Sequence, residues 1–357
     1  MRKWDVETPA LLIDLDIMEA NIGKMASYFS CLKSGLRAHA KTHKSPTIAH
    51  KQINAGALGV CCQKLGEAEV MAENGVNDVL ITSEVVDKEK IERLVGLTRH
   101  SDVKVVIDNL KVAEATSEAA RRHGVKQGVL VEVDIGINRC GLSPGKPAAQ
   151  FVKEVTKLDG LDFRGLMGYE GPFFDIQDFE ERKAAAHKRL NLLRETVEMV
   201  EDEGIGVEIV SAGSTGTYRI TGEYPKVTEV EGGSYVFMDS TYSKLEGLGF
   251  NCALTLLTTV ISRPVPERVV INAGLKAVTQ EFGMPVVRDV EGAKVIRLAE
   301  EHGKVEVDPE CNLEVGDKVE LIPSHCCTTV NLHDRYYGIR DGTVEVIWPV
   351  TARGKFL

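Results

Sequence analysis

The stretch "LRAHAKTHK" at residues 36–44 joins a short apolar run to a lysine at its end. The run has the length of a strand, and a helix is predicted to begin at Pro46. Seven more short apolar runs follow it, separated by segments that are long enough for a helix. Such runs are typical of parallel strands that are buried on both faces. The stretch therefore predicts the first strand of a repeated strand-helix fold.

The eight predicted strands decide the fold class. They cover residues 36–40, 58–63, 78–83, 103–108, 128–134, 163–169, 207–213 and 233–239. Eight is the number of strands that a (β/α)8 barrel needs. A doubly wound open sheet is the structural alternative, but no G-x-G-x-x-G sequence follows the first strands, so a dinucleotide-binding fold is the weaker choice. We therefore predict an α/β chain built on a (β/α)8 barrel.

The two ends of the chain differ from this repeat. A strand is predicted in "ALLIDLD" at 10–16, after which Asp16 is expected to cap a helix, with Glu19 as its capping-box partner. After about residue 245, apolar alternating runs follow one another without helix-length segments between them. We predict a barrel over residues 17–245 and a separate β domain over residues 246–357.

Composition limits the possible functions. The 357 residues are 43% hydrophobic, enough for a sizeable core, and the net charge of −10 argues against a nucleic-acid partner. No apolar run reaches the ~18 residues of a membrane helix, and the start does not read as a signal peptide, so the expected location is the cytoplasm. Eight cysteines without any C-x-x-C pair support neither a disulfide framework nor a four-cysteine zinc site.

Polar residues collect at the predicted carboxyl ends of the barrel strands, where barrels carry function. Two glycine and hydroxyl loops, "SAGSTGT" at 211–217 and "EGGSY" at 231–235, follow late strands and could offer N–H groups to a phosphate. Lys41 stands at the end of the first strand. A lysine opposite a phosphate site suggests a Schiff base with pyridoxal phosphate.

Eight motifs in order then resemble a known family. They are "TPALLIDLD", "RAHAKTHK", "GVCCQKLGEAE", "VEVDIGINRCG", "GLMGYEG", "SAGSTGTY", "GSYVFMD" and "PSHCCTTVNLHD". Together they resemble the D-threonine aldolase / D-serine dehydratase family, which consists of metal-activated pyridoxal phosphate enzymes of the alanine racemase (fold type III) architecture. The resemblance runs from about residue 7 to the C-terminus. It implies that the opening strand, residues 1–16, joins the C-terminal β domain, and that the protein is a homodimer.

The resemblance also implies roles for residues around the cofactor. Lys41 would form the Schiff base, and Arg139 would lie near the phenolic oxygen, where a permanent positive charge keeps that oxygen ionised. Gln63 would line the same side, and Tyr169 would lie beside the ring. Lys41, Arg139 and Tyr169 are the predicted catalytic residues. The phosphate cradle would comprise Gly213, Ser214, Thr215, Gly216, Thr217, Gly233, Ser234 and Tyr235. Tyr218 or Thr217 would approach the pyridine nitrogen.

A metal site is predicted in "SHCCTTVNLHD" at 324–334. On a strand, His325 and Cys327 would share one face and could bind one ion, whereas Cys326 would point away. Imidazole with thiolate favours zinc, although manganese and magnesium are possible. His333 and Asp334 are candidates to support the ligands from behind. The structural alternative is an ordinary strand end whose cysteines act as small hydrophobic residues.

The predicted reaction is β-elimination from a D-3-hydroxy amino acid, such as D-serine or D-threo-3-hydroxyaspartate. Lys41 would remove the Cα proton and the metal would take the β-hydroxyl, giving a 2-oxo acid and ammonia. The "HCC" motif resembles the dehydratase branch, because the aldolase branch has "HCD" and a histidine where this chain has Asp175. A D-threonine or D-3-hydroxyaspartate aldolase is the alternative. A non-catalytic pyridoxal phosphate-binding protein is a remote one, since such proteins lack a metal motif and a β domain.

Overall fold

The computed structural model describes residues 1–357 and divides them into two compact units. The β unit contains Met1–Gly23, Thr42–Ser45 and Ser234–Gly354. The barrel unit contains Lys24–Lys41, Pro46–Gly233 and Lys355–Leu357. The chain therefore passes between the units several times, and the short segment after Lys41 belongs to the β unit.

Strands and helices alternate up to residue 230, and strands prevail after it. The strands are β1 (Ala10–Asp14), β2 (Gly35–His39), β3 (Gly59–Cys62), β4 (Asp78–Ile81), β5 (Asp102–Ile107), β6 (Gln127–Glu132), β7 (Leu161–Gly168), β8 (Ile209–Ala212), β9 (Glu229–Val230), β10 (Leu254–Val265), β11 (Arg268–Ile271), β12 (Val286–Val287), β13 (Lys294–Leu298), β14 (Gly303–Glu306), β15 (Lys318–Ile322), β16 (Arg335–Arg340) and β17 (Thr343–Pro349). The helices are α1 (Leu15–Phe29), α2 (Pro46–Asn54), α3 (Leu65–Glu73), α4 (Lys88–Leu97), α5 (Leu110–His123), α6 (Lys146–Val155), α7 (Phe179–Asp202), α8 (Tyr218–Thr221) and α9 (Cys326–Val330). None of these helices has both the length and the apolar character needed to cross a bilayer.

The barrel unit closes β2 to β9 into one parallel eight-stranded barrel, which confirms the predicted fold class. Strands β3 to β8 each place one buried residue in a common interior cluster, comprising Cys61, Leu80, Val106, Leu130, Met167 and Ile209. Arg37 on β2 forms a buried ion pair with Glu229 of the adjacent β9 at 2.9 Å, and a partly buried one with Asp78 of β4 at 2.6 Å. Burial of both faces explains why the strands read as unbroken apolar runs in the sequence.

The predicted eighth strand, residues 233–239, is wrong. The barrel closes instead through β9, whose Glu229 and Val230 pair with Gly35 and Leu36 of β2. Ser234–Val236 form a 3-10 turn, and the residues that follow are buried in the β unit. The apolar residues of this segment are buried without forming a strand. Gly232 and Gly233 separate them from the last barrel strand.

The β unit holds a nine-stranded sheet in which β13, β14, β11, β10, β1, β16 and β17 follow in order, and β15 pairs with β10 and β12. Strand β1 is antiparallel to β10 and parallel to β16, so the opening strand is an interior strand of this sheet. The apolar runs after residue 245 predict strands at the positions of β10, β11, β14, β15 and β17, whereas β12, β13 and β16 were not predicted. The two-residue β12 is too short to show an alternating pattern of apolar residues.

The predicted N-cap of α1 is also wrong. Asp14 accepts a hydrogen bond from the backbone N–H of Ile17 at 3.0 Å, because the helix begins at Leu15. Asp16 and Glu19 instead form ion pairs with Arg340 on β16. Helix boundaries shift easily by one or two residues, and a carboxylate at either position would satisfy the local pattern.

Candidate active site

Lys41 lies two residues beyond the end of β2, at the carboxyl edge of the barrel. A carboxyl group, that of Glu231, follows the neighbouring strand β9 at this edge. Glu231 accepts a hydrogen bond from Ser211 at 2.8 Å, and burial raises the pKa of Glu231 to about 7, while the charges of Lys41 and Arg37 act to lower it. The lysine amine therefore belongs to an electrostatic cluster at the barrel edge. Sequence reasoning placed Lys41 at this edge but did not identify Glu231.

Arg139 and Tyr169 are brought together. The guanidinium carbon of Arg139 lies 5.7 Å from the centre of the Tyr169 ring, and Arg139 is 3.5 Å from a carboxylate oxygen of Glu132 at the end of β6. The carboxyl group of Glu132 lies within hydrogen-bond reach of the carboxyl group of Glu84. One oxygen of each group is buried without a hydrogen-bond donor. Burial and the charge of Glu84 raise the pKa of Glu132 to about 9, so Glu132 holds its proton near neutral pH.

The raised pKa of Glu132 predicts a pH dependence of stability. The unfolded chain releases the proton of Glu132 near pH 4, whereas the folded protein retains it to about pH 9. The contribution of Glu132 to the free energy of unfolding is therefore fully present below about pH 4. It is lost as the pH rises toward 9, by up to about 1.4 kcal/mol per pH unit. Glu132→Gln should remove this part of the slope in urea unfolding of the cofactor-free protein. Glu118→Gln, on the exposed face of α5, is the control, and an unchanged slope in Glu132→Gln would show that Glu132 is already ionised.

Gln63 is held at the end of β3 by two hydrogen bonds. Its side-chain amide donates to the carbonyl of Thr82 at 2.9 Å, and its backbone N–H donates to Glu67 at 2.8 Å. Glu67 also accepts the N–H of Lys64, so this buried carboxylate caps the start of α3. Gln63 therefore has a fixed orientation at the carboxyl edge of the barrel.

The loop 213–217, which we call the phosphate loop, follows β8 and is buried. Gly213 has a φ of +89°, and a Cβ there would lie 2.7 Å from a Val230 methyl, so this position requires glycine. The N–H groups of Gly213 and Ser214 donate to Glu170 and Thr217. The buried N–H groups of Gly216 and Gly233 have no acceptor within the protein. Buried N–H groups without acceptors are rare, and they fit an anionic ligand such as a phosphate.

The other residues predicted around the cofactor are divided between the barrel unit and the β unit. Thr215 is buried in the phosphate loop, and Tyr218 is buried with its ring edge-on to Tyr28 at 5.0 Å. Tyr235 is fully buried with its ring 5.7 Å from the Phe250 ring. Ser234 lies in the β unit, with its Oγ 3.7 Å from Cys327 Sγ. The roles of these residues toward a cofactor stay predictions.

In the β unit, the ligand atoms of His325, Cys326 and Cys327 lie within 4.8 Å of one another. The predicted geometry is wrong in two respects. His325 is extended, but Cys326 begins α9, so the motif is not a strand. Cys326 also does not point away, because its thiol lies within hydrogen-bond reach of Cys327. His325 and Cys327 are nevertheless brought together, and Thr42, the residue after Lys41, has its Oγ1 3.2 Å from Cys327 Sγ.

Asp239 organises this cluster and was missed by sequence reasoning. One oxygen of this fully buried carboxylate lies 3.0 Å from His325 Nδ1 and accepts the backbone N–H of Cys326 at 3.1 Å. The other oxygen accepts the N–H groups of Thr241 and Tyr242. A carboxylate on Nδ1 leaves Nε2 as the ligand atom of His325. The only sequence signal was an aspartate at the end of an apolar run.

The charges in the cluster suit a metal. A hydrogen bond from Cys326 and the charge of His325 hold the pKa of Cys327 well below its usual range, against the effect of burial. Burial would lower the pKa of His325, but Cys327 and Asp239 raise it to about 10. A thiolate beside an imidazole is a donor pair that zinc and other borderline-soft cations prefer. The residues therefore fit a divalent ion bound by His325 and Cys327.

The predicted support from His333 and Asp334 is wrong. His333 Nε2 lies 2.7 Å from the carbonyl of Ala277, and Asp334 pairs with Arg353 at 3.0 Å. The residue that contacts His325 from behind is Asp239 instead.

Fold and site together define a class. Residues 13–241 match the alanine racemase N-terminal domain family, and residues 253–339 match a serine dehydratase domain. The 3-hydroxy-D-aspartate aldolase of Paracoccus denitrificans is 39% identical over 99% of this chain and 94% of its own. The crystal structure of D-threonine aldolase from Filomicrobium marinum superposes with a TM-score of 0.95 at 39% identity, over 99% of this chain and 98% of its own. The D-threo-3-hydroxyaspartate dehydratase of Delftia is 27% identical over 95% of this chain and 96% of its own.

The chain thus has the alanine racemase-like architecture, a barrel joined to a β domain. It belongs to the D-threonine aldolase / D-serine dehydratase family, whose named relatives are lyases acting on D-3-hydroxy amino acids.

Proposed function

We propose that the protein is a pyridoxal phosphate- and divalent metal-dependent lyase that cleaves D-3-hydroxy amino acids between Cα and Cβ. The observation that carries the proposal is the cluster of His325 and Cys327, held by Asp239 and approached by Thr42, the residue next to Lys41. It provides a metal-binding pair in a chain whose barrel carries a lysine and two N–H groups without acceptors, those of Gly216 and Gly233. The protein's assembly as a homodimer stays a prediction, which sedimentation velocity would test.

The barrel residues fit the cofactor chemically. Lys41 would hold it covalently, Arg139 would balance the charge of its phenolic oxygen, and the N–H groups of Gly216 and Gly233 would bind its phosphate. When bound, pyridoxal phosphate draws electrons away from a bond at Cα and so supplies the driving force for breaking it. Tyr169, which Arg139 covers, would position the ring.

A metal ion bound by His325 and Cys327 would suit the β-hydroxyl of the substrate. Two protein ligands leave several positions open for water and for a substrate oxygen, which is typical of a catalytic rather than a structural ion. A cation at that oxygen lowers its pKa. Zinc is the favoured metal because a thiolate is one of the two ligands.

Two reactions are possible on these residues. In the aldol cleavage that we propose, the β-hydroxyl loses its proton, the Cα–Cβ bond breaks, and Cα takes up a proton, so that glycine and an aldehyde form. In dehydration, Lys41 removes the Cα proton and the β-hydroxyl leaves as hydroxide. The whole-chain identity of 39% to an aldolase, against 27% to a dehydratase, favours cleavage. Cys327 in place of a carboxylate favours dehydration, which is the reaction that the sequence analysis predicted and the second candidate.

Product analysis separates the two reactions. The protein, reconstituted with pyridoxal phosphate and zinc, is incubated separately with D-serine, D-threonine and D-threo-3-hydroxyaspartate, and the products are identified by mass. Glycine with acetaldehyde or glyoxylate would support the aldolase. A 2-oxo acid with ammonia would overturn it in favour of the dehydratase. The L-isomers are the controls for the D-specificity, and no product from any D-substrate would remove the proposed function itself.

A further inference from the structure

Glu170 is a fully buried carboxylate that the chemistry above does not use. It follows β7, directly after Tyr169, and its side chain reaches the phosphate loop that follows the neighbouring strand β8. One carboxylate oxygen accepts the N–H of Gly213 at 2.8 Å. The other accepts the hydroxyls of Thr217 and Thr221, each at 2.6 Å. Three donors therefore converge on this one side chain, so both of its oxygens are hydrogen-bonded within the protein.

The hydrogen bonds of Glu170 continue into the loop. Because the Thr217 hydroxyl donates its proton to Glu170, its oxygen is free to accept the N–H of Ser214, at 3.1 Å. The first two N–H groups of the phosphate loop are thus turned toward Glu170 and Thr217. A second buried side chain, Arg182 on α7, donates to the carbonyl of Gly216 at 3.0 Å. The loop is held at both ends, and the N–H of Gly216 is left without an acceptor.

We propose that Glu170 is the positioning residue of the phosphate loop, and that the preference of the protein for phosphorylated over unphosphorylated cofactor depends on it. This inference rests on the proposed function, since it concerns the phosphate of pyridoxal phosphate. Glu170 acts through the loop and touches no reacting atom.

Charge and geometry make opposite predictions for Glu170, which makes the inference testable. If only charge mattered, removing a negative carboxylate near a bound phosphate dianion would strengthen binding. If Glu170 shapes the loop, Glu170→Gln must weaken binding. A glutamine amide can accept through only one atom, so either the N–H of Gly213 or the two threonine hydroxyls lose their acceptor. Thr217 could then no longer orient Ser214 as it does here.

The test compares the binding of pyridoxal phosphate and pyridoxal to the cofactor-free protein, followed by absorbance. We expect Glu170→Gln to weaken the binding of pyridoxal phosphate about tenfold or more, the usual effect of losing a hydrogen bond to a charged group. Pyridoxal, which has no phosphate, should bind within about twofold of the wild type. In the cofactor-free variant, the amides of residues 213–217 should also exchange their hydrogens faster than in the wild type.

Thr221→Val keeps the inference testable if Glu170→Gln does not fold. It removes one donor to Glu170 from outside the phosphate loop, and it should produce the same selective loss at smaller size. Thr116→Val is the matched control, because Thr116 is equally buried but donates only within α5. Equal weakening of both ligands, unchanged binding of both, or tighter binding of pyridoxal phosphate would overturn the inference. A wild type that binds neither ligand would instead overturn the proposed function.

Discussion

Lys41→Ala is expected to abolish the visible absorbance of the covalently held cofactor and to lower turnover by roughly a thousandfold or more. The amine is the only group of Lys41 that can both attach the cofactor and move a proton at Cα, so both functions are lost together. Losing a positioned acid-base group alone costs about 10²–10⁴ in rate. Turnover is measured by the product analysis described above, and attachment by borohydride reduction followed by peptide mass analysis.

The control for Lys41 lies nearby in the same barrel. Lys64 is exposed after β3, and Lys64→Ala should retain the absorbance and the turnover. A Lys41→Ala protein whose cofactor is still reduced onto a peptide would show that another lysine holds it. Lys44, in the same motif, would then be the residue to examine.

Cys327→Ala is expected to remove the divalent metal while leaving the attachment of the cofactor intact. Replacing a residue that only supports a ligand costs 10–100-fold in metal affinity, so losing the ligand itself should cost about hundredfold or more. Activity on D-3-hydroxy amino acids should fall nearly to zero and should no longer respond to added zinc. Metal content by atomic absorption and cofactor absorbance are measured on the same sample, which separates the two functions.

Two further cysteine variants sharpen this prediction. Cys311→Ala, outside the metal cluster, controls for the loss of a thiol. Cys326→Ala tests whether the third thiol of the cluster is a ligand or only a hydrogen-bond donor to Cys327. A donor alone should leave the metal bound with reduced affinity. Full metal content and activity in Cys327→Ala would contradict the assignment of this ligand.

The barrel could be predicted because its determinants are local. A parallel strand covered on both faces needs a run of apolar residues, and the run with its flanking helix is visible in the sequence. The end of such a strand also marks the functional edge of a barrel, so Lys41, Gln63, Arg139 and Tyr169 could be located at that edge. The wrong eighth strand shows the limit of this reasoning, since the buried residues after Gly233 pack in the β unit instead.

The metal cluster shows why local pattern failed elsewhere. The residues after His325 have the composition of a strand, yet they form α9. The N–H of Cys326 at the start of this helix is capped by Asp239, which is 87 positions away in the chain. A partner so far away along the chain leaves no signal in the sequence around His325.

The sequence by itself determined the barrel class, the attachment lysine as a candidate, and the pairing of an imidazole with a thiol near the end of the chain. Each of these depends on residue type and on spacing over a few positions. Only the tertiary structure decided that Asp239 holds His325, that Glu84 and Glu132 lie within hydrogen-bond reach of each other, and that Glu170 holds the phosphate loop. These are contacts of buried polar groups, and the partner of such a group is whichever donor or acceptor the fold brings within reach.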